Sequence, residues 1–137
     1  MKWILTVGLG LFLLVPFASA TSDSEKIEIL REIYRYPDSE WLRAIVEVES
    51  NYDRRATSHC GALGLFQIMP RYWDKELRKA GIIEKRADYH SIKKGVEAGH
   101  YVWQKIKREK KGIRPFLVKY SGGAKGYVEK VLRKMAK

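Results

Sequence analysis

Residues 39–50 read SEWLRAIVEVES and, one short segment later, residues 61–70 read GALGLFQIMP. The first stretch decides the fold class. At about 100° per residue, a wheel with Glu49 at its origin puts Leu42, Ile45 and Val46 within about 60° of it. Trp41 and Val48 fall at the edge of that arc, and Glu40, Arg43 and Glu47 on the opposite, solvated side. One apolar face and one charged face make this an amphipathic helix half-sunk in a core. Asp38 or Ser39 can cap it after Pro37, Pro70 can open another helix and Pro115 a third. Outward from this segment, helical periodicity is predicted over about 23–35, 62–69, 70–80, 91–110, 114–120 and 124–136. No stretch alternates convincingly as a strand, so the domain is predicted to be all-α.

The first twenty residues differ from the rest. MKWILTVGLGLFLLVPFASA carries one charge, Lys2, then an apolar run from Trp3 to Val15, and ends in Ala18-Ser19-Ala20. This pattern predicts a cleavable signal peptide over 1–20, with one domain over 21–137. An uncleaved anchor is the alternative, although the run is at the short limit for a bilayer span. Cleavage after Ala20 would leave 117 of the 137 residues and, with Lys2 removed from 27 Lys+Arg against 16 Asp+Glu, a net charge of +10. That length suits one ordinary core. Cys60 is the chain's single cysteine, so an intramolecular disulfide is excluded in a protein expected to be exported, periplasmic or extracellular.

The basic stretch Lys105, Lys107, Arg108, Lys110, Lys111 and Arg114 has only Glu97 and Glu109 near it in sequence. It reads as a solvated helix face, or as a surface attracted to a polyanionic wall polymer. No nucleic-acid motif accompanies the charge, so no nucleic-acid partner is expected. His59, His90 and His100 lack metal-ligand spacing. No metal, no cofactor and no stable membrane span after signal cleavage are expected, and the domain is expected to be a monomer.

Glu49 is the candidate for chemistry. It lies on the apolar arc at the last turn of its helix, where desolvation and the negative end of the helix dipole both favour the protonated acid. The competing reading is an ion pair with Arg54 or Arg55, which would do the opposite.

Three blocks in order then carry a resemblance: Glu49-Ser50-Asn51-Tyr52 with Ala56-Thr57-Ser58; Gly61-Ala62-Leu63-Gly64-Leu65-Phe66-Gln67-Ile68-Met69-Pro70; and Tyr120-Ser121-Gly122-Gly123. Val96-Glu97-Ala98-Gly99 also fits the intervening helix. Together they resemble the soluble lytic transglycosylase family, similar in fold to goose-type lysozyme, over about Trp41 to Met135. The resemblance implies a compact lysozyme-like helical domain, with the helix from Asp23 to Tyr34 lying outside the match as a cover.

It also implies a reaction. Glu49 would protonate the leaving oxygen of the β-1,4 bond between N-acetylmuramic acid and N-acetylglucosamine. The same carboxylate would then take the proton of the C6 hydroxyl as a 1,6-anhydro ring closes. Around it, the resemblance puts Gln67 in the groove, Ser58 near the acetamido group, and the phenol of Tyr120 on the Glu49 carboxylate. Gly64 and Leu65 border the substrate, Phe66 forms an apolar wall with Met69 behind it, and Ser50 orients the helix end. Ser121 stands where many members have Asn. Gly61 and Gly64 read equally as close-approach positions or as helix packing, Ser58 as a local turn bond, and Tyr120 as a core aromatic.

Peptidoglycan glycan strands are the implied partner. The alternatives are a hydrolysing muramidase of the same fold, or a non-catalytic wall-binding accessory of a secretion or conjugation apparatus. Asp53 is the nearest carboxylate that could activate water, and it is expected to pair with an arginine instead.

Overall fold

The computed structural model describes residues 21–109 and 112–137; residues 1–20, over which a signal peptide is expected, and Lys110 and Lys111 lie outside the described residues. Among the described residues six α-helices follow in order: α1 (Asp23–Ile33), α2 (Ser39–Glu49), α3 (Pro70–Lys79), α4 (Ile92–Glu109), α5 (Ile113–Tyr120) and α6 (Tyr127–Met135). A short 3₁₀ turn at Arg86–His90 precedes α4. Among the described residues there are no strands, only isolated bridges pairing Thr57 with Leu63 and Leu63 with Ile68.

Local chemistry explains several helix starts. The Ser22 hydroxyl accepts the Glu25 N–H at the head of α1, whose first turn carries Asp23 and Glu25 against the helix dipole. Pro70 is the first residue of α3, where its missing N–H costs nothing. Asp38 is the N-cap of α2, but its carboxylate caps nothing. It accepts instead from the Trp103 indole at 2.8 Å, from Gln104 at 2.9 Å and from the Lys107 ammonium at 2.9 Å, and so pins the start of α2 to α4.

The wheel for α2 holds on its apolar side, since Leu42, Ala44, Ile45 and Val46 have no exposed surface. They meet Ile29 and Ile33 of α1, Val96, Ala98, Val102, Trp103 and Ile106 of α4, and Val128 and Val131 of α6. The charged side is less solvated than expected. Arg43 donates to the Lys134 carbonyl at 2.8 Å, and Glu47 accepts the Lys134 ammonium at 2.7 Å, so both are half-buried ties between α2 and the end of α6. The two helices run antiparallel, which brings the last residue of α2 to the first of α6.

The expected helix over 62–69 does not form. Gly64 has φ +73° and Gln67 φ +48°, left-handed values that end any right-handed helix. The segment folds as a tight loop, with Leu63 and Ile68 exchanging backbone hydrogen bonds at 2.9 and 3.1 Å. A Cβ on Gly64 would lie 2.2 Å from the Tyr89 carbonyl oxygen, so glycine is required there by backbone packing. Gly99 has a similar duty: a Cβ there would stand 2.3 Å from the Phe66 ring, which lies flush on the α4 backbone.

The basic stretch finds partners that are distant in sequence. Lys105 pairs with Glu76 of α3 at 3.3 Å, Lys107 with Asp38 and Arg114 with Glu129 of α6 at 3.4 Å. Its described part is therefore less free than the neighbouring residues suggest. Among the described residues no helix is long and apolar enough to cross a membrane.

Candidate active site

Glu49 is the last residue of α2, and the antiparallel packing of α6 sets a phenol on its carboxylate. Tyr127 Oη donates to Glu49 Oε1 at 2.6 Å. Burial pushes the Glu49 carboxyl up to about 7, and the Tyr127 bond offsets part of that rise by favouring the anion. The side chain keeps some contact with solvent, yet protein packs densely around it.

The cation that could have cancelled this shift is elsewhere. Arg54 and Arg55 both bond Glu25 of α1, Arg54 through Nε and Arg55 through a guanidinium nitrogen at 3.4 Å. Among the described residues no ion pair reaches Glu49. Asp53 does not pair with an arginine side chain as expected; its carboxylate accepts the backbone N–H of Arg55 at 2.9 Å and closes a turn.

The tyrosine on Glu49 is therefore Tyr127, a residue that sequence reasoning missed. Tyr120, expected in that role, ends α5 and donates to the Phe66 carbonyl at 2.8 Å. Its ring stacks on that of Tyr127 with centroids 6.4 Å apart, and the charge of Glu49 adds to burial in holding both phenols protonated. Tyr120 thus belongs to the same cluster, one step further out. The usable signal was the position of Tyr127 at the head of an amphipathic helix, right after Gly126 in a left-handed conformation.

The loop residues divide. Leu65 and Phe66 are each only 1% exposed, so their side chains are core and offer no wall to a ligand; Met69 is half-buried. Gln67 is half-buried, but its amide nitrogen donates to the carbonyls of Ala56 at 3.2 Å and Gly64 at 3.0 Å. It fastens the loop, and these bonds hold its own left-handed backbone. The Ser58 hydroxyl accepts the Ala62 N–H at 2.9 Å, the local turn bond. Ser50 donates to the Val46 carbonyl at 3.1 Å in the last turn of α2, and Ser121 to the Val118 carbonyl at 3.1 Å. Gly64 serves backbone packing, as above, while a Cβ on Gly61 would meet nothing.

The structure thus brings Glu49, Tyr127, Tyr120 and the Phe66 carbonyl together from α2, α6, α5 and the loop. Among the described residues no three His, Cys, Asp or Glu side chains are grouped to hold a metal ion.

The family model described as the transglycosylase SLT domain matches residues 30–136. The chain belongs to this family. No curated protein and no solved structure gave a match. The matched span starts inside α1 and includes every residue of the Glu49 cluster. Membership in the SLT family supports transglycosylase-type cleavage of peptidoglycan and, with it, action outside the cytoplasm.

Proposed function

We propose that this SLT-domain chain is an exported lytic transglycosylase that uses Glu49 first as acid and then as base. The observation that carries the reading is a carboxyl pushed up to about 7 by burial, held by one phenol, with no charged neighbour adding to either side. A group titrating near neutrality is accessible in both proton states, and the two half-reactions need one each.

In the first, the C1–O4 glycosidic bond breaks as Glu49 gives its proton to the leaving oxygen. The developing positive centre on the muramic sugar draws on the substrate's own 2-acetamido group. In the second, the C6 hydroxyl oxygen bonds C1 while its proton returns to Glu49. Acid and base are thereby restored, and no water is consumed. The common two-carboxylate scheme needs a second acid to act as nucleophile or to hold a water. Asp53, the nearest one after Glu49 in sequence, is engaged in its own turn, and Glu47, two residues before Glu49, is taken by Lys134 and Arg43. Tyr127 orients the Glu49 carboxylate through both half-reactions.

Digestion of purified peptidoglycan in heavy-oxygen water, followed by mass analysis, tests this. The expected products carry unlabelled 1,6-anhydro-N-acetylmuramic acid ends. Label on most new reducing ends would mean a hydrolysing muramidase, and no product at all would leave a wall-binding role.

A further inference from the structure

Helix α3 carries four cations and two acids, and the fold sorts them by face. On a wheel with the fully buried Leu77 at its origin, Arg71, Lys75 and Lys79 fall at about 120°, 160° and 200°, the side turned away from the core. All three are exposed. The two acids stand on the flanks and are already engaged. Asp74 takes the Arg78 guanidinium at 2.5 Å and the Tyr89 hydroxyl at 3.1 Å, while Glu76 takes the Lys105 ammonium at 3.3 Å and the Tyr101 hydroxyl at 3.4 Å. Among the described residues no ion pair reaches Arg71, Lys75 or Lys79, and Arg71 rests on the Tyr72 ring, 4.8 Å from its centroid.

Helix stability does not account for this stripe. Like charges four residues apart repel on a helix surface, and Arg71 with Lys75, then Lys75 with Lys79, make two such pairs. Arg71 lies in the first turn, at the positive end of the dipole, where no acid compensates it. Only Lys79, in the last turn, gains from that field. In the 105–114 stretch Lys105, Lys107 and Arg114 are paired across the fold; on α3 the outward charge is left to solvent. At 1.5 Å per residue the three cations form a rail about 12 Å long. Its near end is fastened to the 61–69 loop, because the Met69 carbonyl accepts the N–H groups of Tyr72 at 3.0 Å and Trp73 at 3.2 Å. The same loop gives the Phe66 carbonyl to Tyr120 in the Glu49 cluster.

We propose that this face of α3 is a docking rail for the free carboxylates of peptidoglycan peptide stems, which it holds while the glycan is cut. The inference rests on the peptidoglycan role proposed above and adds the peptide as a recognised part of the substrate. N-acetylated sugars are neutral and give three bare cations nothing to pair with, whereas the stems carried by the muramic acid residues end in carboxylates. The other anionic surface open to an exported protein is a membrane. A helix that lies on a membrane does so by burying its apolar face, and the apolar side of α3, at Leu77, is already in the core.

The test is co-sedimentation of the whole protein with insoluble peptidoglycan on ice, at low salt and at about 0.5 M salt. One variant carries Arg71→Glu, Lys75→Glu and Lys79→Glu. A second carries Arg31→Glu, Lys93→Glu and Arg133→Glu, the same change in net charge at exposed cations of α1, α4 and α6. The rail variant should bind about tenfold more weakly than wild type at low salt and within about twofold of it at high salt, and the second variant should stay within about threefold throughout. Peptidoglycan whose carboxylates have been converted to amides should hold wild type no better than the rail variant. Equal losses in the two variants would reduce the rail to net charge and overturn the inference, as would wild-type affinity undiminished on amidated peptidoglycan. If the rail variant keeps its peptidoglycan binding but loses binding to phosphatidylglycerol vesicles, the face belongs to a membrane instead. Should the triple reversal fail to fold, Arg71→Gln, Lys75→Gln and Lys79→Gln decide: they relieve the repulsion on α3, should melt no lower than wild type, and must still weaken binding at low salt. Binding is read without turnover, so missing anhydro products from the unchanged protein would sink the transglycosylase reading by itself.

Discussion

Glu49 and Asp88 are both enclosed carboxylates, and they are driven in opposite directions. Asp88 is 5% exposed; its carboxylate accepts the backbone N–H groups of Glu84 and Lys85 and the Lys94 ammonium at 3.0 Å, and it is held down at about 2. Glu49 has one phenol and rises to about 7. Burial opposes charge in both, so the number and charge of the donors decide the outcome. Asp88 is a structural anion that fastens the 3₁₀ turn to α4. Glu49 is left short of donors and keeps an acid's proton.

The widest separation between the two sites should come from Glu49→Gln. The amide keeps the shape and cannot deliver the proton, so kcat on peptidoglycan should fall by about 10² to 10⁴ or more, since the same group is proposed to serve twice. Stability should move the other way. The folded protein binds the Glu49 proton more tightly than the unfolded chain, so wild-type stability is lost as pH rises from about 4.5 to about 7. Glu49→Gln should therefore melt higher than wild type at pH 8, and the gap should close at pH 4. A variant that is less stable at both pH values would mean that Glu49 is an ordinary structural carboxylate.

The phenols come next. Tyr127→Phe removes a donor that favours the Glu49 anion, so the high-pH limb of the rate profile should move up while kcat falls about tenfold through lost orientation. Tyr120→Phe deletes the donor to the Phe66 carbonyl and should cost about 1 kcal/mol of stability, with a smaller effect on kcat. If Tyr120→Phe is the slower enzyme, the outer phenol and not the bonded one governs the acid.

Asp88→Asn probes the opposite site. Because its folded pKa lies below the usual value, Asp88 contributes stability that is full above about 4 and is lost as pH falls through about 2. In thermal melts between pH 5 and pH 1.5, the variant should lose part of the acid sensitivity of wild type while its peptidoglycan activity at neutral pH is retained. Unchanged acid sensitivity would mean that the Lys94 pairing and backbone bonds do not tune this group.

How far these sites were legible depends on the range of the contacts that make them. The α2 wheel needed only local periodicity, and it put Glu49 on the buried arc correctly. The 61–69 run is apolar enough to imitate a helix; what breaks it is the Tyr89 carbonyl against Gly64, a contact between segments 25 residues apart in sequence. Tyr127 rather than Tyr120 reaches Glu49 because α6 runs antiparallel to α2, a tertiary fact that the place of Tyr127 at the head of α6 hints at but local periodicity does not fix. The partners of Lys105, Lys107 and Arg114 come likewise from α3, the α2 cap and α6. The capture of Arg54 and Arg55 by Glu25 removes the ion pair with Glu49 that the wheel left open.

The smallest expected effect belongs to Glu47→Gln, the same chemical change as Glu49→Gln two positions earlier on α2. Read as a solvated residue, Glu47 would be silent in every assay. Its carboxylate in fact takes the Lys134 ammonium at 2.7 Å and an Arg43 nitrogen at 3.4 Å, joining α2 to the far end of α6 from Tyr127. An amide still accepts one of these bonds but loses the ionic part, so about 0.5–1 kcal/mol of stability should go, and less in high salt. Turnover should stay within a factor of two. The pH profile should stay where it is, because the Tyr127 end of α6 is fixed by Tyr127, Val128 and Val131 in the core. A shift of that profile in Glu47→Gln would show that loosening one end of the α2–α6 pair reaches the Glu49–Tyr127 bond at the other, and the acid would then be tuned by the whole helix pair and not by its last turn.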